Sequence, residues 1–109
     1  CRKTAGLLAS AAGLADVSVV WQSQMGGPLK WLGPSASAEI GRLSASGVDG
    51  VNVVCPGFAC DCTETLVEIA EGLKGEFLSR GGRVFNYVPC LNDSPEHAAA
   101  LAGIFERMK

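Results

Sequence analysis

The sequence predicts an α/β fold built on a parallel sheet. Short β-branched runs alternate with longer segments whose apolar residues recur at helical spacing. The segments follow one another as αβαβαβα, the order that puts crossover helices between parallel strands. With 109 residues, 48% of them hydrophobic, the chain has material for one core and one domain.

The elements follow in order. CRKTAGLLASAAG, residues 1–13, is small and apolar at helical spacing and stops at Gly13. VSVVWQSQ, 17–24, is β-branched and short, a strand; MGGPLKWLGP, 25–34, holds three glycines and two prolines and is a loop. SASAEIGRLSASG, 35–47, opens on cap residues and closes on Gly47, a helix. VNVVC, 51–55, is the next strand, TETLVEIAEGLKGEFLSRGG a long helix, RVFNYVP a strand and SPEHAAALAGIFERMK the closing helix. A doubly wound unit usually begins on a strand that becomes central, whereas this chain begins on a helix and on Cys1, so a fragment is expected, with its first strand upstream and a three-strand remnant left with an open edge.

Composition narrows the function classes. A formal charge of -2 with scattered Lys and Arg offers no basic patch, which excludes a nucleic-acid partner. No apolar run approaches the roughly 20 residues that cross a bilayer, the first residues lack the layout of a secretory signal, and five cysteines without framework spacing suit a reducing compartment. The expectation is a cytoplasmic protein without a transmembrane segment.

In open α/β sheets, sites form where strand carboxyl ends pass into loops and helix starts, here 22–34, 55–64 and 90–94. Asp61-x-x-Glu64 before an apolar-periodic run reads as a capping box, with Asp61 accepting from first-turn N–H groups and Glu64 reaching back. It also reads as the start of an acidic stripe. Glu64, Glu68 and Glu71 share one face of an α-helix, where like charges repel unless a cation or protons sit among them, and such a row can hold a divalent metal or relay protons. Cys55, Cys60 and Cys62 are spaced C-x4-C-x-C, with Cys90 as a fourth thiol, a near miss to a ferredoxin spacing and without the CxxC pair that zinc prefers. His97, the only histidine, follows the cap Ser94 and Pro95 and is expected to face solvent in the first turn. The glycine pairs form no phosphate-binding motif, so no nucleotide is expected. Trp21 belongs to a core strand; Trp31, with Met25, Leu29 and Leu32, lies in a loop that either packs on itself or lips a flat apolar cleft.

Three stretches, VVWQSQMGGPLKWLGP, CPGFACDCTETLVEIAEG and NYVPCLNDSPEHAAALA, resemble the C-terminal half of bacterial-type ferrochelatase over essentially the whole chain. The resemblance implies a chelatase-type, Rossmann-like three-layer α/β fold with a parallel sheet, and insertion of ferrous iron into protoporphyrin IX, the last step of haem biosynthesis. It implies protoporphyrin IX and ferrous iron as substrates, no required cofactor, and a partner in the form of an N-terminal half or a second copy. By motif, Glu64 is the glutamate facing the porphyrin centre, a catalytic and metal-handling group. Asp61 is its catalytic acidic partner and Glu68 the next carboxylate of the ridge, also metal-handling. The resemblance also implies that Trp31, with Met25, Gln22 and Ser23 in its neighbourhood, lines the porphyrin pocket.

Some positions depart from the family pattern. One extra residue lies between Gly26 and Trp31, Gln24 stands where a basic residue is common, PSAS from the proline of WLGP onward replaces the usual PxTDE, and Gly72 stands where some members carry a third ridge carboxylate. The family's catalytic histidine is expected upstream of Cys1, so the lone chain is expected to be inactive. The alternative is a non-catalytic porphyrin- or partner-binding half-domain.

Overall fold

The computed structural model describes residues 1–23 and 31–109. Helix α1, Arg2–Ala12, ends as its composition predicts: Gly13 takes a left-handed φ of 66°, and the N–H groups of Gly13 and Leu14 close on the carbonyls of Ser10 and Ala9. Helix α2, Ala36–Ala45, is capped by Ser35, whose side chain accepts from the N–H of Ala38 at 3.2 Å. Strands β1, Gly50–Val54, and β2, Val84–Val88, pair in parallel with Gly50 opposite Val84 and Val54 opposite Val88. The chain is therefore α/β with a parallel sheet and helical crossover.

The expected strand at 17–24 is not formed over its described residues, and among the described residues the sheet has two strands rather than three. A strand exists through its ladder, and this segment spends its hydrogen bonds elsewhere. Trp21 N–H donates to Pro34 O at 3.0 Å and Trp21 O accepts from Ala36 N–H at 3.0 Å, an isolated bridge to Ser35. Ser18 Oγ donates to Glu39 Oε1 at 2.7 Å, tying the segment to α2.

The long helix after β1 also differs from expectation. It winds as a π-helix over Glu64–Leu73 and continues directly as α3, Lys74–Ser79. Its buried residues are Thr65, Ile69, Leu73 and Phe77, a strict spacing of four. In an α-helix of 3.6 residues per turn that spacing advances about 40° each time, so Thr65 and Phe77 would stand roughly 120° apart. The wider i→i+5 winding reduces that drift and keeps the four on one face.

That face meets α2 and the sheet. Ala36, Ile40, Ile69, Leu73, Phe77 and Phe85 form the core, with the rings of Phe77 and Phe85 tilted at 52° and their centroids 6.2 Å apart. Gly82 is buried against Phe77: a Cβ there would stand 2.3 Å from the ring, so only glycine lets the chain turn back into β2. Helix α4, Pro95–Arg107, starts as expected, with Ser94 Oγ accepting from His97 N–H at 3.2 Å and Pro95 in the first turn.

Candidate active site at the start of the pi-helix

Two groups of polar side chains meet at the carboxyl end of the sheet. The first joins the extended segment to the π-helix. Gln22 Nε2 donates both to the backbone carbonyl of Glu64 and to Glu68 Oε2, each at 2.9 Å, and Ser23 Oγ donates to the same Glu68 oxygen at 3.1 Å. Ser23 reaches it from a φ of 57°. Glu64 and Glu68 are both exposed.

The winding decides which residues share this row. Every fourth position, Glu64, Glu68, Gly72 and Glu76, lies beside the buried row of Thr65, Ile69, Leu73 and Phe77. The three-membered stripe expected for an α-helix is corrected accordingly: Glu71 stands off the row and Glu76 joins it. A cavity of about 280 Å³ follows the row, lined by Trp21, Gln22, Ser37, Glu68, Gly72 and Glu76 among others. Glu76 accepts from Ser37 Oγ at 2.7 Å and pairs with Arg80 at 2.9 Å. A larger, apolar cavity of about 350 Å³ lies between α1, the extended segment, the end of β1 and the π-helix, with Leu8, Val17, Val54, Phe58 and Ile69 in its wall.

The second group is built around Asp61. Its Oδ1 accepts from Tyr87 Oη at 2.5 Å, Thr65 Oγ1 at 3.0 Å and Cys90 N–H at 3.4 Å, and its Oδ2 accepts from Asn92 Nδ2 at 2.8 Å. Asn92 Oδ1 in turn accepts the Asp61 N–H at 2.8 Å. Hydrogen bonds from Asn92 and Tyr87, the largest causes, hold the Asp61 carboxyl well below the usual carboxylate range. Tyr87 is pushed the opposite way, first by burial and then by its bond to that anion.

The capping box does not form. Thr63 stands at the N-cap without a side-chain bond, and the Asp61 groups that would have made the box are taken by Asn92, Tyr87 and Thr65. Glu64 is nevertheless held below its ordinary carboxylate value, by the Cys62 thiol first and by its own backbone N–H second. Both carboxylates are thus ionised at neutral pH. The adjacent thiols are not: burial pushes Cys55 up to about 11 and raises Cys90. Among the described residues no three of His, Cys, Asp or Glu converge as a metal-binding set.

Of the residues expected at the site, Gln22, Ser23, Glu64 and Glu68 come together, and Asp61 sits one turn back in the knot beside them. Trp31 lines neither cavity and is 48% exposed, while Met25 lies outside the described residues. His97 is not the solvent-facing residue expected. It is half-buried, with Nδ1 2.7 Å from Asn92 O. Thr65, Tyr87 and Asn92 went unrecognised in the sequence, although a lone tyrosine on a strand running into the Asn-Asp turn after Cys90 marks the spot where polar groups meet a strand end.

No helix among the described residues is long and apolar enough to cross a membrane. Comparison with known proteins gives a concordant set. The family model for ferrochelatase matches residues 1–109. A ferrochelatase of Polaromonas sp. is 48% identical over 104 residues, covering 94% of this chain and 28% of the relative. Ferrochelatase 1 of Shewanella oneidensis is 47% identical, covering 93% of this chain and 30% of its own length. A ferrochelatase of Pseudomonas fluorescens is 45% identical over 109 residues, 98% of this chain and 32% of the relative. The chain thus spans about a third of the length of these curated relatives.

Proposed function

This chain belongs to the ferrochelatase family, and from that premise we propose that it supplies one wall of a site that inserts ferrous iron into protoporphyrin IX. The observation that carries the proposal is the open carboxylate row, Glu64 and Glu68, pinned to the extended segment by Gln22 and Ser23 at the carboxyl end of the sheet. Placing a dication in the ring requires two pyrrolic protons to leave, so the chemistry needs an unprotonated base near the ring centre and a place for the metal to shed water.

Glu64 fits the first need. The bonds from Cys62 and from its own N–H favour its ionised form, and its exposure leaves the carboxylate open to a substrate. In this reading it accepts a pyrrolic proton and helps to hand over the metal. Glu68 fits the second: Gln22 and Ser23 hold one oxygen in place, and an oriented carboxylate is a hard ligand suited to a hydrated divalent cation. Iron enters as a substrate. Asp61 supports Glu64 from behind. Trp31 offers an exposed indole for the macrocycle face, and Met25 is proposed beside it.

A chimera tests the proposal, with residues 1–109 replacing the matching 104-residue segment of the Polaromonas relative. The chimera is expected to insert Zn(II) into a soluble porphyrin, read by the shift of the porphyrin absorption bands, and the chain alone is expected not to. Porphyrin binding without insertion by the chimera would instead favour a non-catalytic binding half-domain.

A further inference from the structure

The Asp61 knot has a second tier that the proposed chemistry does not use. Asn92 sits at a φ of 50°, a left-handed conformation that asparagine enters more readily than most residues with a side chain. From there its two ends hold the same turn. Its N–H donates to Ala59 O at 3.0 Å, while its side chain grips Asp61 twice, at Asp61 N–H and at Oδ2, both at 2.8 Å. Nδ2 also reaches Cys90 O at 3.0 Å. The carbonyl of this residue is not left bare. His97, already tied to Ser94 through its backbone N–H, brings its ring Nδ1 to 2.7 Å from it, and since a carbonyl only accepts, Nδ1 carries the hydrogen.

The chain of contacts ends at Thr65, beside the candidate base. Asp61 Oδ1 accepts from Thr65 Oγ1, and Thr65 is fully buried, directly follows Glu64 and also accepts the N–H of Cys62 at 2.9 Å. Tyr87, on β2, anchors the same oxygen to the sheet. Four donors therefore occupy the Asp61 carboxylate, which leaves it suited to holding a fixed geometry.

We infer that His97 and Asn92 are positioning residues for Glu64: His97 steadies Asn92 in its left-handed conformation, Asn92 grips Asp61, and Asp61 fixes the first turn of the π-helix through Thr65 and Tyr87. The inference rests on the reading of Glu64 above and deepens it. A base must stand within hydrogen-bond reach of its proton, and displacement of about 1 Å can cost up to a hundredfold in rate.

Asparagine carries its amide N–H about where imidazole carries Nδ1–H, whereas glutamine projects its donor one bond farther. His97→Asn is therefore the conservative variant, and His97→Leu and His97→Gln are the disruptive ones. The first measurement is hydrogen exchange on the unaltered 109-residue chain and its variants, at the amides of Asp61 and Cys62. Both are expected to be protected in the parent chain and in His97→Asn, and to exchange about tenfold or more faster in His97→Leu, His97→Gln and Asn92→Ala. Equal protection in all of them would overturn the clamp.

The second measurement is steady-state metal insertion by the chimera, corrected for folded fraction. His97→Leu is expected to lower kcat about tenfold or more with KM for porphyrin nearly unmoved, and His97→Asn to restore it. A residue that only stabilises the fold would leave kcat per folded molecule intact, and that outcome would overturn the positioning role. A parent chimera that inserts no metal at all would strike the proposed reaction instead, and the exchange result would still decide whether the clamp exists.

Discussion

Asp61 and Glu68 are acids of one helix start, seven residues apart in sequence, and the molecule treats them differently. Asp61 is half-buried and has four donors on its two oxygens. Glu68 is exposed and, among the described residues, receives two bonds, both on one oxygen. The comparison teaches that surroundings, and not residue type, divide the labour. A saturated carboxylate holds geometry, and an open one beside it is left to meet a substrate or metal. Glu64, between them, shares the openness of Glu68 and borrows its position from Asp61.

The division predicts opposite mutational profiles, and the largest effect belongs to the core that carries both regions. Phe77→Ala, which empties the site between α2, β2 and Gly82, is expected to cost about 3–5 kcal/mol in urea unfolding and to loosen both regions together. Within the Asp61 knot, Tyr87→Phe removes one hydroxyl donor from a charged acceptor. It is expected to cost about 1.5 kcal/mol. Asp61→Ala, which strips the acceptor from several donors at once, should lower the unfolding midpoint further than Tyr87→Phe. On the open row the order reverses. Glu68→Ala is expected to change stability by no more than about 0.5 kcal/mol while reducing metal insertion by the chimera. A Glu68→Ala that unfolds the chain, or a Tyr87→Phe as stable as the parent, would erase the contrast.

The smallest effect is one of pH. Glu39 is held ionised at about 2 by hydrogen bonds from Arg42 and Ser18. A carboxylate depressed on folding adds stability that is complete above its ordinary value of 4.5 and fades as pH falls through about 2. Glu39→Gln should therefore weaken the fold at neutral pH and flatten its acid dependence over that window. An unchanged acid-unfolding profile would show that the charge of Glu39 contributes nothing to the fold.

Much of the fold was legible because its signals are local. Gly13 and Ser94 mark helix ends through backbone geometry and caps, and both stand where expected. The segment at 17–24 misled because β-branched composition reports a preference for extended backbone and not the presence of a neighbour to pair with. Its described part joins no ladder and is bonded to Pro34, Ala36 and Glu39 instead. The helix after β1 was legible as a helix, but its winding was not. The clue was the spacing of four from Thr65 to Phe77, which fits a helix wider than α. That winding decided that Glu76 and not Glu71 continues the acidic row. The Asp61 knot was the hardest part to see, since it gathers Thr65, Tyr87 and Asn92 from three elements, and only the packed sheet end brings them to one carboxylate.

The most direct test of Glu64 as the group that accepts pyrrolic protons is metal insertion by the chimera with Glu64→Gln, a change that keeps shape and removes the charge. The account predicts that kcat falls by about a hundredfold or more at neutral pH with porphyrin binding retained. Insertion at the parent rate would contradict it.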